Sequence, residues 1–222
     1  MTSRLMSKIT VFGGSGRTGR EVVNQALAAG HTVTAFCYSE PPKGTFKDNK
    51  NLAIQLGNAY DCTDVTRAVR GQDAVINIIA PRLFDNKNYP ISEIATKNII
   101  TAMESYNVKR YIGQAGAWAT EQLTDASPLM QLGFMVFLPL KSVYRYKKIE
   151  DIAVKQSNLD WTLVRCGVLT DKVPIADYRV FRDHYKCRLF EIPKIRRVNV
   201  AAFELSILSD ESYYGTCPII IE

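Results

Sequence analysis

The chain has 222 residues, 46% of them hydrophobic, and 28 Lys and Arg against 22 Asp and Glu give it a net charge of +6. This length and apolar content support one substantial core in a single domain over residues 1–222 and exclude a disordered or low-complexity chain. No stretch reaches the ~20 apolar residues of a membrane span, Met1 to Lys8 lacks a secretory apolar core, and the five cysteines form no Cys-x-x-Cys pair. A cytosolic protein with free thiols and no metal site is expected.

Lys8 to Phe12 is a β-branched run that predicts the first strand. It enters the turn Gly13-Gly14-Ser15-Gly16-Arg17-Thr18-Gly19, after which Val22, Val23, Ala26 and Leu27 recur at helical spacing until Gly30 ends the helix. His31 to Cys37 predicts strand two, Leu52 to Leu56 strand three, and Asp73 to Ile79 strand four, the last nearly all apolar, as in a strand covered on both faces. Between three and four, Val65, Ala68 and Val69 line a short helix closed by Gly71. Ser92 is placed to cap the next helix, whose inner face is Ile94, Ala95, Asn98, Ile99, Ala102 and Met103.

Arg110 to Gln114 predicts strand five, Tyr144 to Ser157 a helix, Trp161 to Arg165 strand six, Val198 to Ser209 a helix, and Pro218 to Ile221 a closing strand. Strands alternating with helices predict an α/β fold, a Rossmann-type doubly wound parallel sheet. Residues 115–141 and 170–194 lack clear periodicity and follow the C-terminal ends of strands. Ligands bind at that edge of an open α/β sheet, so both segments are expected to wall the substrate side.

The glycine turn satisfies Gly-x-x-Gly-x-x-Gly through Gly13, Gly16 and Gly19, and Gly-x-Gly-x-x-Gly through Gly14, Gly16 and Gly19. Side chains there would block a tight turn and the approach of backbone N–H groups to phosphate, while the following helix start favours negative charge. With a strand before it and an amphipathic helix after it, the turn points to the pyrophosphate of a nicotinamide cofactor. The end of strand two, Tyr38-Ser39-Glu40, should decide which one. Glu40 suits the ribose of NAD; Arg17, Lys43 and Ser39 suit the 2′-phosphate of NADP, which is the preferred reading, with NAD as the alternative.

The basic stretch from Arg182 to Arg197 could meet nucleic acid or an anionic ligand, but it reads more simply as a solvated loop and helix face, because no nucleic-acid motif accompanies it. A Tyr-x-x-x-Lys spacing at Tyr144 and Lys148 would put a phenol and an ammonium on one helical face. The histidines, His31 and His184, have no evident ligand or triad partner.

The sequence resembles the atypical short-chain dehydrogenases of the NmrA-like and biliverdin-IXβ/flavin reductase group. The resemblance rests on the glycine turn, on Gly57-Asn58-Ala59-Tyr60-Asp61, on Gly71-Gln72-Asp73-Ala74-Val75-Ile76 and on Val108-Lys109-Arg110-Tyr111. It continues through Ser157-Asn158-Leu159-Asp160-Trp161-Thr162-Leu163-Val164-Arg165 and Gly167-Val168-Leu169-Thr170-Asp171, and so covers essentially the whole chain.

The resemblance implies that Asn58 and Ala59 flank the adenine, that Ile79, Ala80 and Pro81 meet the adenosine ribose and pyrophosphate, and that Gln114 lies near the nicotinamide and substrate. The serine of a Ser-Tyr-Lys set is absent, since the segment after strand five reads Gly113-Gln114-Ala115-Gly116-Ala117-Trp118. Counting back from Ser157, Lys147 matches the subgroup's lysine better than Lys148 does, and both remain candidates with Tyr144 and Gln114. The function implied is NADPH-dependent reduction of a small conjugated acceptor (flavin, quinone or tetrapyrrole), with an apolar mouth from Trp118 through Leu129, Met130, Leu132, Phe134, Met135, Phe137 and Leu138. A non-catalytic NADP sensor of the NmrA-like type and an isomerase that keeps the fold are the alternatives. A monomer or homodimer with a small-molecule substrate is expected.

Overall fold

The computed structural model describes residues 6–80, 90–116, 132, 138–171, 177–182, 185 and 192–222, and for 138–144 the backbone. The central strand β1 (Lys8–Phe12) pairs in parallel with both β2 (Thr32–Cys37) and β4 (Ala74–Asn77). Beyond β2 lies β3 (Leu52–Leu56), and beyond β4 come β5 (Arg110–Gly116), β6 (Asp160–Cys166) and, out of chain order, β10 (Ile219–Ile221). Among the described residues this sheet has eight strands in the order β3-β2-β1-β4-β5-β6-β10-β8, all parallel except the edge strand β8 (Arg179–Phe181).

The chain moves outward from β1 to β3 and then crosses to β4 on the other side of β1. That reversal leaves a crevice at the C-terminal ends of β1 and β4, where ligands bind in doubly wound folds. The helices cover both faces. Ile9 and Val11 of β1 pack with Val22 and Val23 of α1 (Arg17–Ala28) and with Val200 and Phe203 of α5 (Arg197–Ser206). Phe12 points to the opposite face, among Val65 of α2 (Cys62–Val69), Ile99 of α3 (Ile91–Ser105) and Val154 of α4 (Leu138–Lys155). Each such side chain contributes about 1.5–3 kcal/mol by leaving water, and their alternation pins the strand register.

The observed sheet extends the expected one. The three-residue strand β8 lies within the stretch 170–194, and β7 (Val168–Thr170) and β9 (Lys194–Arg196), which flank it, pair in a separate small sheet. Three residues are too few to display a period of two, so only hydrogen-bonded partners reveal them. Ser92 does not cap α3: Pro90 holds the N-cap position, its fixed φ suits a helix start, and Ser92 is buried in the first turn with Oγ unpartnered among the described residues. Helix α4 begins at Leu138, ahead of the expected Tyr144. No helix covers the outer face of β3 among the described residues, and Ile54 and Leu56 remain about half exposed there.

Candidate functional site

The turn between β1 and α1 folds back on itself. Gly13 has φ +79°, and a Cβ built on Gly19 would lie 2.1 Å from the Gly13 carbonyl oxygen, so neither position accepts a side chain without moving backbone. Gly13 and Gly14 donate their N–H groups to Phe36 O, which ties the turn to the end of β2. Gly16 sits at the N-cap of α1 without a side-chain cap, leaving the first-turn N–H groups to an anion. Ser15 lies against Cys37, whose thiol is pushed up by burial.

From this turn a cleft of about 560 Å³ runs over the ends of β4, β5 and β6. Arg17, Thr18, Ile78, Ala80, Gln114, Ala115, Lys147, Cys166, Leu169 and Arg197 form much of its lining. Lys147 is only 4% exposed, and its ammonium donates to Glu150 Oε2 at 2.7 Å, Gln114 O at 3.1 Å and Ile79 O at 3.4 Å. Burial pushes the Glu150 carboxyl upward, and the Lys147 ammonium opposes it. Beneath this pair, Asp151 and Arg165 form a second fully buried ion pair. Asn77, at the end of β4, donates to Thr96 Oγ1 and Tyr111 Oη and accepts from the Ile79 N–H, which fixes the strand end where Lys147 lands.

Gln114 closes the floor. Its Nε2 approaches Cys166 Sγ at 3.5 Å, while its Oε1 is buried without a partner among the described residues. Burial first, and then the charge of Glu204, hold the Cys166 thiol neutral. Glu204 itself is completely buried on α5, and burial raises its carboxyl to about 8.

A glycine cradle at a helix start, a pinned lysine and an orphaned amide oxygen make a set of donors and acceptors that fits a dinucleotide carrying a carboxamide. The profile of the NAD(P)H-binding family matches residues 13–211. The chain belongs to that family. Among its relatives, an uncharacterized chloroplast protein of Arabidopsis thaliana is 25% identical over 178 residues, 77% of this chain and 62% of its own length. The chain thus spans less than two thirds of that relative. A short-chain dehydrogenase/reductase of Veillonella parvula solved with NADP superposes with a TM-score of 0.77 at 18% identity, covering 98% of this chain and 95% of that one. ChuY, an anaerobillin reductase of Escherichia coli O157:H7, superposes with a TM-score of 0.75 at 18% identity, covering 97% of each chain. These likenesses show a shared Rossmann-type fold.

Gly13, Gly16, Arg17, Thr18, Gly19, Ala80, Gln114 and Lys147 meet in one cleft. Lys148, one residue further along α4, is exposed, because a helix turns 100° per residue; it does not reach the cleft with Lys147. The Tyr144 side chain, Pro81, His184 and most of the expected apolar mouth lie outside the described residues; Leu132 is exposed. Tyr38 and Ser39 are exposed at the end of β2. The Asn58 side chain accepts from Tyr60 N in the turn before α2, and Ala59 is buried.

Arg17 pairs with Asp171 across the cleft mouth. The basic stretch is largely spent on internal partners where described, with Arg182 on Ser212 and the Tyr213 ring, Arg196 on Glu222, and Arg197 on Asp171. Cys166 and Leu169 in the lining, and Glu150 beside Lys147, were not among the expected site residues, whereas Arg197 belongs to the basic stretch that could meet an anionic ligand. Glu150 alone had a local signal, its i,i+3 spacing from Lys147.

Proposed function

We propose that the chain is an NADPH-dependent reductase of a small conjugated acceptor such as a flavin, quinone or tetrapyrrole. The observation that carries this reading is the state of Lys147. An ammonium has three N–H groups, and here each has an acceptor: Glu150, Gln114 O and Ile79 O. Lys147 therefore positions rather than protonates. The long 3.4 Å contact to Ile79 is the one a ribose hydroxyl would replace.

When bound, the reduced cofactor supplies a hydride. The N–H groups at the start of α1 would hold its pyrophosphate, Lys147 its ribose, and Gln114 Oε1 would accept from its carboxamide. The titratable side chains in the described lining are Arg17, Lys147, Cys166 and Arg197, with no tyrosine or serine among them. Arginine stays protonated and the Cys166 thiol is held neutral, so neither suits proton exchange at neutral pH. A conjugated acceptor fits such a cleft: the residues orient it, and solvent at the open mouth delivers the proton. Ser39 and Lys43 at the exposed end of β2 support NADPH over NADH.

The test is nicotinamide oxidation followed by absorbance with riboflavin, a simple quinone and a linear tetrapyrrole, with NADPH and NADH in parallel. Turnover of at least one acceptor, faster with NADPH at limiting cofactor, is expected. Tight NADPH binding without oxidation across the panel overturns the reading in favour of a cofactor-sensing regulator.

A further inference from the structure

Three cations and no carboxylate stand in the described lining of the cleft. Lys147 is committed to the floor, and the pyrophosphate is matched by the start of α1, which leaves Arg17 and Arg197 at the mouth. Each is the first residue of its helix, Arg17 of α1 and Arg197 of α5, and these two helices pack side by side. Both reach the same carboxylate just after β7. Arg17 Nη1 lies 3.0 Å from Asp171 Oδ2, and Arg197 Nη1 lies 2.6 Å from Asp171 Oδ1.

One carboxylate between two guanidiniums leaves the group with a net positive charge beside the cleft. The two arginines differ in freedom. Arg197 is 10% exposed and fixed by its surroundings, whereas Arg17 is 66% exposed and able to adjust. A fixed guanidinium and an adjustable one, both in the lining, suit a planar or tetrahedral oxyanion entering from solvent.

We infer that Arg17 and Arg197 form a subsite for an anionic substituent of the acceptor, a carboxylate or a phosphate, with Asp171 positioning the two guanidiniums. This rests on the reductase reading and gives the acceptor a charge: its conjugated ring lies over the Gln114 floor, and its acidic arm lies at the mouth between α1 and α5.

FMN and riboflavin share one ring system and differ by a phosphate, so their ratio isolates the subsite. Flavin fluorescence titrations of protein saturated with NADP+ should show FMN bound at least about tenfold more tightly than riboflavin. Arg197→Met and Arg17→Gln should each move that ratio toward one; Arg17, being exposed, serves as the variant least able to disturb folding. A general loss of fold or cofactor affinity affects both flavins and leaves the ratio standing.

Equal binding of the two flavins, no binding of either, or a ratio that survives both substitutions overturns the subsite. So does a result in which the substitutions weaken NADP+ binding in calorimetry while the ratio persists, since the arginines would then grip the cofactor's own phosphates. An FMN preference that depends on Arg197, with no NADPH oxidation by any flavin, quinone or tetrapyrrole of the panel, keeps the subsite and overturns the reductase reading. Reduction of both flavins at equal KM does the reverse.

Discussion

The wall of the cleft made by β1 and α1 and the floor made by β5, β6 and α4 are suited to a ligand by different means. The first uses backbone: glycines that admit no side chain and N–H groups at a helix start. The second uses side chains drawn from separate elements, with Lys147 from α4, Gln114 from β5 and Cys166 from β6. A backbone site is a property of a few consecutive residues and fails when any one gains a Cβ. A side-chain site is held by buried charge and fails when a pair is broken, yet it can be repaired by removing the partner as well.

The sharpest break in this contrast is Gly19→Ala. With backbone 2.1 Å from the new Cβ, the turn must open, and NAD(P)H affinity in calorimetry should fall about a hundredfold or more while circular dichroism retains the helical signal. Retained affinity would mean that the turn does not hold the cofactor.

On the floor, Lys147→Met leaves Glu150 buried without its cation, and urea denaturation should show a loss of about 3–5 kcal/mol. Lys147→Met with Glu150→Gln should recover most of that stability while cofactor affinity stays low, which separates the pair's structural role from the hold on the ribose proposed for Lys147. Equal instability of the single and double variants would refute the pairing.

Glu204 offers a gentler test of the same region. Its folded pKa of about 8 lies above the unfolded 4.5, so the folded state keeps a proton that the unfolded state has released. Stability should therefore be fully present below pH 4.5 and decline as pH rises through about 8. Glu204→Gln should flatten that decline, with a difference on the order of 5 kcal/mol between the two ends of the window. Parallel denaturation profiles for both proteins would exclude a protonated Glu204.

The smallest effect belongs to Lys148→Ala. Exposed on α4, it should change stability by less than about 0.5 kcal/mol and leave NADPH affinity at its wild-type value, in contrast to Lys147. A large loss of NADPH affinity would restore Lys148 to the site.

The sequence alone determined the α/β alternation, the seven parallel strands and the glycine turn, because these are written in local periodicity and in residues whose missing side chains are themselves the signal. It also put Gln114 at the end of strand five and left Lys147 and Lys148 as alternatives, of which Gln114 and Lys147 line the cleft. Tertiary structure decided between those lysines, since the direction of a helix's buried face depends on where Glu150, Gln114 and Ile79 converge. It likewise turned Arg17 toward Asp171, joined it with Arg197 and placed the closing strand between β6 and β8. Such contacts join distant parts of the chain, 33 positions apart for Lys147 with Gln114 and 154 for Arg17 with Asp171, and no periodicity of the chain encodes a pairing at such distances.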